Sequence, residues 1–318
     1  MNPNPTPENR SLDIAIVGAG AIGSSLGYFL KLGGADPWLV DPWTAHVEAI
    51  NAGGLTVVTE DGEEQVSSRA TIDPSKPGVM DVVILLTKAN RLRDSVRDAL
   101  PLIGPETQVF GLQNGLGHLE IISEVVPVEQ ILYGFCEIGG DLTAPGRVRP
   151  ARAAGLISFK PVRGDVDDKV STLVELLAAG GINLQHSPDI DQAIWSKLAI
   201  NCSFNAACGL TRLDSAQISR QPDTAALVES VIGEVIAVAE AKGISIDRNH
   251  VDEFIAMASQ VGHHPSMAQD VMTKRRTEIE SLNGAVVREG AHVGIPTPVN
   301  DTITRLVRIL EATYDEQF

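Results

Sequence analysis

The chain has 318 residues, of which 43% are hydrophobic, and its formal net charge is −16 at pH 7. This length is typical of two domains, and the hydrophobic content suffices for packed cores. Because the chain is strongly acidic, it repels the phosphates of nucleic acids and of anionic lipids. We therefore expect neither a nucleic-acid nor a membrane partner. The three cysteines show neither metal-ligand spacing nor a disulfide framework, which fits a reducing, cytoplasmic compartment.

Residues 1–12 are rich in Pro and Asn and are expected to form a flexible leader. The segment that follows, 14–41, has the pattern of a strand, a glycine-rich turn, a helix and a second strand. Residues 14–17 are apolar and mostly β-branched, as in a buried parallel strand. Residues 24–32 continue as a helix, and 37–40 form the second strand. This succession predicts the first half of a dinucleotide-binding fold.

The glycine-rich turn, GAGAIG, indicates where a dinucleotide pyrophosphate binds. Its first glycine permits the turn, the second lets the backbone approach the phosphates, and the third lets the helix pack close to the strand. N–H groups at the start of the helix point at the anion. Asp41 follows Gly18 by 23 residues, where this fold places a carboxylate that binds the adenosine ribose. The predicted cofactor-binding residues of the turn are Gly18, Ala19, Gly20, Ala21, Ile22 and Gly23.

The order of elements predicts an α/β protein, with an N-terminal Rossmann dinucleotide-binding domain at 13–188 and an all-α C-terminal domain at 189–318. Further strands are predicted at 81–87, 108–112 and 182–186, and a helix at 166–179. Between 131 and 159, short strands separated by Gly and Pro indicate an antiparallel extension of the sheet. The second domain is expected to contain helices at 191–207, 224–242, 250–257, 266–293 and 300–311.

Polar residues follow two of the predicted strands. Lys88 comes after the strand at 81–87, and Asn114 comes after the strand at 108–112 within QNGLG. Each residue alone is compatible with an ordinary turn. Because ligands of open α/β sheets bind at the carboxyl ends of strands, we expect both residues to contact cofactor or substrate.

One predicted helix carries Lys197, Asn201 and Asn205 at intervals of four. On an α-helix this spacing puts the three side chains on one face, spread along roughly 12 Å. Asn has a modest helix propensity, so its recurrence needs compensation. A solvated polar face is the alternative to a site that hydrogen-bonds a small polar substrate there.

A second polar cluster, HHPSMAQD at 263–270, opens the long helix predicted at 266–293, which also carries Glu278. Adjacent histidines make a poor pair of metal ligands, and no Cys or third His is placed to complete a site. We therefore predict no metal site. From the pattern alone, Glu278 is compatible with an ordinary charge on an exposed helix.

Six motifs resemble the ketopantoate reductase (2-dehydropantoate 2-reductase) family over nearly the whole chain from residue 14 to the region of 296. They are GAGAIG, LLTKAN, LQNGLG, WSKLAINCSFNA, HPSMAQD and RRTEIESLNG. The resemblance implies an NAD(P)-dependent oxidoreductase that transfers hydride to the 2-oxo group of a small branched or hydroxylated 2-oxo acid. The leading candidate for that substrate is 2-dehydropantoate, which is reduced to pantoate.

The resemblance also implies roles for individual residues. Lys197 matches the general acid, and Glu278 matches the acidic partner of that lysine and of the substrate. Lys88 and Asn114 would border the nicotinamide and the substrate. The groups that would hold the substrate's carboxylate and hydroxyls are Asn201, Asn205 and Ser266.

The chain departs from the family pattern at several positions. Members that use NADP usually have Arg just after the second strand, whereas this chain has Asp41 and Pro42, so we expect NAD to be favoured over NADP. Other departures, at Cys136 with Glu137, at Pro150 and at His263, leave the substrate open. The alternatives are another 2-hydroxy acid or opine-type dehydrogenase and a non-catalytic dinucleotide-binding sensor. A homodimer is also left open.

Overall fold

The computed structural model describes residues 12–151 and 155–316, so the predicted leader lies outside the described residues except for Leu12. The chain forms two compact units. The first comprises 12–87, 92–112 and 121–187, and the second comprises 88–91, 113–120 and 188–316. The short segments that carry Lys88 and Asn114, predicted as part of the first domain, thus belong to the second unit.

Up to residue 187 the described chain contains both strands and α-helices. The elements are β1 (Ile14–Val17), α1 (Ala21–Leu32), β2 (Trp38–Val40), α2 (Thr44–Gly53), β3 (Leu55–Thr59), β4 (Gly62–Val66), β5 (Arg69–Thr71), β6 (Val82–Leu85), α3 (Leu92–Asp98), β7 (Gln108–Gly111), α4 (His118–Ser123), β8 (Ile131–Cys136), β9 (Gly140–Ala144), β10 (Arg147–Pro150), β11 (Leu156–Pro161), α5 (Asp168–Ala179) and β12 (Asn183–His186).

The main sheet has eight strands in the order β12-β11-β8-β7-β6-β1-β2-β5. The six strands from β5 to β8 run parallel, and β11 pairs antiparallel with β8. Every residue of β1 and β6 is buried, as expected of central strands covered on both faces. The order of the parallel strands is the 3-2-1-4-5-6 order of the dinucleotide-binding fold, which confirms the predicted fold class. The order reverses between β1 and β6, where such folds bind their ligand.

A second sheet of four strands, in the order β4-β3-β10-β9, was not predicted. The predicted antiparallel extension is correct for β8 and β11, but β9 and β10 leave the main sheet. β10 instead pairs in parallel with β3, which places the fully buried Val148 opposite Val57. Because this pairing joins segments about ninety residues apart, local patterning could not reveal it.

The described elements of the second unit after residue 188 are helical. They are α6 (Ile190–Ile200), a π-helical segment (Asn201–Asn205), α7 (Ala206–Thr211), α8 (Ser215–Ser219), α9 (Thr224–Ala241), α10 (Arg248–Ala258), α11 (Ser266–Met272), α12 (Asn283–Val293) and α13 (Pro298–Ala312). Their apolar faces form one core in which α9 contributes Val231, Val235 and Val238. Nowhere in 12–151 or 155–316 is a helix long and apolar enough to cross a membrane.

The single helix predicted at 266–293 is wrong, because the chain leaves the helix at Met272 and re-enters it at Asn283. Lys274 adopts the left-handed conformation, with φ 53°. Its N–H donates to the carbonyl of Val271, and the N–H of Arg275 donates to the carbonyl of Asp270 at 2.8 Å. This pair of bonds caps the last turn and ends α11. Glu278 therefore lies in an irregular segment rather than on a helix.

His118 is a buried polar residue, 5% exposed, at the start of α4. Burial lowers the pKa of His118 from 6.5 to about 4, against an opposing effect of the Gly115 carbonyl. A buried neutral imidazole of this kind links folding to pH. Between pH 6.5 and 4 the unfolded chain binds a proton at this position that the folded chain does not bind.

We expect His118 to make the free energy of unfolding fall as the pH falls from about 6.5 to about 4, by on the order of 3 kcal/mol. Urea unfolding at a series of pH values should show a shallower slope in this window for His118→Gln than for the wild type. His250→Gln, which removes an exposed imidazole, is the control and should keep the wild-type slope. Identical slopes for His118→Gln and the wild type would contradict the expectation.

Candidate active site

The glycine-rich turn between β1 and α1 has the geometry that a dinucleotide needs. Gly18 has φ +98°, and a Cβ there would lie 2.6 Å from the backbone nitrogen of Thr87. At Gly23 a Cβ would lie 1.9 Å from the carbonyl oxygen of Gly18, so only glycine allows this packing. At Gly20, no atom of the described residues lies within 4 Å of the Cβ position. The residues present therefore fit a dinucleotide, with open space where backbone and pyrophosphate would meet.

Asp41 lies beside this turn and is held by it. One carboxylate oxygen accepts the N–H of Ala19 at 2.8 Å, and the other accepts the N–H of Trp43 at 2.9 Å. A carboxylate oxygen can accept more than one hydrogen bond, so a ribose diol could still donate to both oxygens. Asp41 is thus oriented before any ligand binds.

The buried His46 packs next to Ser24, which is bonded to the glycine-rich turn. The hydroxyl of Ser24 donates to the carbonyl of Ala19 at 2.7 Å and lies 3.3 Å from Nε2 of His46. Nδ1 of His46 accepts the N–H of Gly146 at 2.9 Å, which assigns the ring proton to Nε2. Burial lowers the pKa of His46, against the opposing charge of Asp41, so the ring is neutral at pH 7.

In the second unit, Glu278 brings together two segments that are far apart in sequence. Its side chain is nearly buried, with the residue 9% exposed. One carboxylate oxygen accepts the N–H of Ala89 at 3.0 Å, and the other accepts the side-chain amide of Asn114 at 3.2 Å. Two predicted site residues, Asn114 and Glu278, are therefore in direct contact.

Lys88, a third predicted site residue, forms an ion pair with Asp270. The Asp270 side chain is 4% exposed, and Nε of Arg275 lies 3.3 Å from the same carboxylate oxygen. Asp270 was not among the predicted site residues. Its spacing could have identified it, because it follows Ser266 by four residues and so shares a face of α11 with it.

Lys197 is half-buried on α6, and Asn201 and Asn205 bound the π-helical segment that continues this helix. The uninterrupted α-helix predicted at 191–207 is therefore wrong from Asn201 to Asn205, where each backbone bond spans one residue more. The two asparagines nevertheless stay adjacent, since Nδ2 of Asn205 donates to Oδ1 of Asn201 at 3.3 Å. This bond fixes one amide relative to the other. π-Helical turns inside α-helices are frequent at functional sites.

Two side chains satisfy carbonyl groups in and next to the π-helical segment. The hydroxyl of Ser203 donates to the carbonyl of Ile200 at 2.8 Å. Nδ2 of Asn283, a fully buried residue, donates to the carbonyl of Cys202 at 3.1 Å and to Oδ1 of Asn300 at 2.9 Å. Carbonyl groups freed by the altered hydrogen-bond pattern thereby find donors.

The remaining predicted residues lie at the start of α11. Ser266 is the first residue of that helix and is exposed, His263 is exposed, and His264 is half-buried. Within residues 12–151 and 155–316, no three His, Cys, Asp or Glu side chains are grouped so as to hold a metal ion.

The first unit has the strand order and the glycine-rich turn of a dinucleotide-binding fold. The second unit has a polar cluster of Lys, Asn and buried carboxylates. Together these features define a nicotinamide-dependent oxidoreductase. The chain belongs to the ketopantoate reductase family. The family model "Ketopantoate reductase PanE/ApbA" matches residues 14–164, and its C-terminal counterpart matches residues 189–311.

Individual relatives agree over almost the whole chain. The chain is 32% identical to 2-dehydropantoate 2-reductase of Streptococcus pyogenes serotype M6, over 96% of this chain and 99% of that protein. A solved ternary complex of D-mandelate dehydrogenase with NADH and anilino(oxo)acetate is 31% identical, with a TM-score of 0.88 over 96% and 99% of the two chains. A PanE/ApbA family ketopantoate reductase from Ralstonia eutropha is 29% identical, with a TM-score of 0.87 over 96% and 100%.

The contacts of Asn283 lead to an expectation about the π-helical segment. Asn283→Ala leaves the Cys202 carbonyl and Oδ1 of Asn300 without this donor, so we expect a loss of roughly 2 kcal/mol in the free energy of unfolding. Amide hydrogen exchange should also accelerate at residues 200–206. Thr304→Val removes a buried hydroxyl that donates within its own helix, and serves as the control. Equal protection of 200–206 in both variants would mean that Asn283 does not hold the segment.

Proposed function

We propose that this protein is an NADH-preferring reductase of small 2-oxo acids, with 2-dehydropantoate as the leading candidate substrate. The observation that carries the proposal is the contact of Glu278 with Asn114 and the Ala89 backbone. It unites motif residues from distant parts of a chain that belongs to the ketopantoate reductase family. A nearly buried carboxylate that accepts a hydrogen bond on each oxygen is expected of a site that binds charged groups.

The chemistry requires a proton donor beside the substrate carbonyl. The dihydronicotinamide, when bound, supplies the hydride that adds to the carbonyl carbon of the 2-oxo acid. The carbonyl oxygen then gains negative charge and must take up a proton. The ammonium group of Lys197 is proposed to hydrogen-bond this oxygen, stabilise its charge and transfer a proton to it, which gives the 2-hydroxy acid.

The other polar side chains are proposed to position this reaction. The paired amides of Asn201 and Asn205 and the hydroxyl of Ser266 would hold the substrate's carboxylate and hydroxyl groups. Glu278 would keep Asn114 oriented through the bond seen here and would act as the acidic partner of Lys197. The ion pair with Asp270 limits the positions that the Lys88 ammonium can reach.

A second candidate substrate class comes from the comparison with D-mandelate dehydrogenase, whose structure was solved with NADH. That relative takes a 2-hydroxy acid with an aromatic substituent. Pro150 and His263 of this chain depart from the ketopantoate reductase pattern. A reductase of larger 2-oxo acids, such as phenylglyoxylate, is therefore the alternative to a reductase of 2-dehydropantoate.

A screen of 2-oxo acids separates the two candidates. Purified protein is assayed for NADH and NADPH oxidation with 2-dehydropantoate, phenylglyoxylate, pyruvate and branched aliphatic 2-oxo acids. We expect the highest kcat/KM with 2-dehydropantoate and NADH. A higher kcat/KM with phenylglyoxylate would favour the alternative, and no turnover of any 2-oxo acid would refute the proposed activity.

We expect Lys197→Ala to lower turnover by a factor on the order of 10² or more, because the general acid is lost. Folding, measured by circular dichroism, and binding of the reduced cofactor, measured by its fluorescence, should be retained. Lys242→Ala removes a lysine that pairs with Glu289 on the helical unit, and it should keep wild-type turnover. A folded Lys197→Ala protein with nearly normal turnover would remove Lys197 from the proposed mechanism.

For the cofactor, we expect the wild type to bind NADH more tightly than NADPH by on the order of tenfold or more, because the Asp41 carboxylate would face the 2′-phosphate of NADPH at short range. Asp41→Asn removes the charge and keeps an acceptor oxygen for one of the two backbone N–H groups, so it should narrow the difference in affinity between NADH and NADPH. Glu48→Gln neutralises an exposed acid on α2 and is the control. Both cofactors are titrated by fluorescence. Tighter binding of NADPH to the wild type would show that Asp41 does not select against the phosphate.

A further inference from the structure

Trp43 is a large aromatic residue at an unusual place for one. It lies two residues after Asp41, at the N-cap of α2, and it is 45% exposed. Tryptophan is enriched at binding interfaces, because its ring offers a large apolar surface and its N–H a polar group. Residues 41–43 emerge from the carboxyl end of β2, the edge of the sheet on which this fold binds ligands.

The indole of Trp43 is held in one orientation. Its backbone N–H donates to Asp41, and its ring stacks on the imidazole of His46 with centroids 5.4 Å apart and planes 11° from parallel. His46 is itself buried and is fixed by the N–H of Gly146 and the hydroxyl of Ser24. One face of the indole is therefore covered by protein, and the exposed remainder offers a rigid, flat surface.

We propose that this surface stacks on the adenine ring of the bound dinucleotide, so that His46, Trp43 and adenine form a three-layer stack. The inference rests on the proposed function, from which it takes the dinucleotide. It adds a base-binding residue to the ribose-binding Asp41 and the phosphate-binding turn.

The chemistry of the ligand favours adenine over the nicotinamide as the occupant. In this fold the carboxylate after β2 binds the adenosine ribose, and the adenine is attached directly to that ribose. The backbone of Trp43 is bonded to the same carboxylate. The nicotinamide lies beyond the pyrophosphate, at the opposite end of the cofactor. Stacking of a purine on an aromatic side chain requires no further polar group.

Two fragments of the cofactor test the proposal. ADP-ribose contains the adenine and lacks the nicotinamide, whereas reduced nicotinamide mononucleotide lacks the adenosine. By calorimetry, Trp43→Ala should weaken ADP-ribose binding on the order of tenfold, as expected for loss of one stacked base, and should leave binding of the mononucleotide unchanged. Trp43→Phe should retain most of the affinity. Trp38→Ala removes a tryptophan that stacks on Arg69, and it should bind ADP-ribose like the wild type.

Fluorescence gives a second readout that does not depend on activity. The chain has three tryptophans, and ADP-ribose should quench the wild-type emission but not that of Trp43→Phe. Wild-type affinity for ADP-ribose in Trp43→Ala would overturn the stack and leave the proposed function intact. Equal weakening of both fragments would indicate a general disturbance of the site and would also overturn it. If the wild type binds neither ADP-ribose nor NADH, the proposed function and the stack fail together.

Discussion

The nearly buried carboxylate of Glu278 constrains how three segments of the second unit are placed. A buried charge is costly unless each oxygen is satisfied, and removal of one partner from a buried pair costs several kcal/mol. Ala89 and Asn114 supply the donors, so the segments 88–91 and 113–120 must lie where the carboxylate can reach them. Glu278 itself lies in the irregular backbone between α11 and α12.

The first unit depends on a comparable set of bonds around its glycine-rich turn. The carbonyl of Ala19 accepts from Ser24, and the N–H of Ala19 donates to Asp41. Both groups are thereby fixed, and His46 extends the network to the second sheet through Gly146. The turn is pre-organised, so less conformational entropy is lost when a ligand binds.

Sequence patterning was sufficient where structure follows from local contacts. β1, α1, β2, β6 and β7 lie where short apolar runs and the glycine-rich turn predicted them. Local patterning could not predict contacts between residues distant in sequence. Lys88 and Asp270 are 182 positions apart, and β10 pairs with β3. The prediction of one helix at 266–293 was wrong because the residues around Lys274 have helical propensity, although the backbone of Lys274 is left-handed. The π-helical segment leaves no periodic signal, because it shifts the helical register by only one residue.

The cost of the polar groups in the second unit argues against the sensor alternative. A protein that only binds a dinucleotide needs the turn and Asp41 but has no use for the buried carboxylates of Asp270 and Glu278. Apolar residues of similar volume would be at least as stable there. Their presence in a chain of the ketopantoate reductase family, alongside Lys197, is expected if they orient charged and polar groups for catalysis.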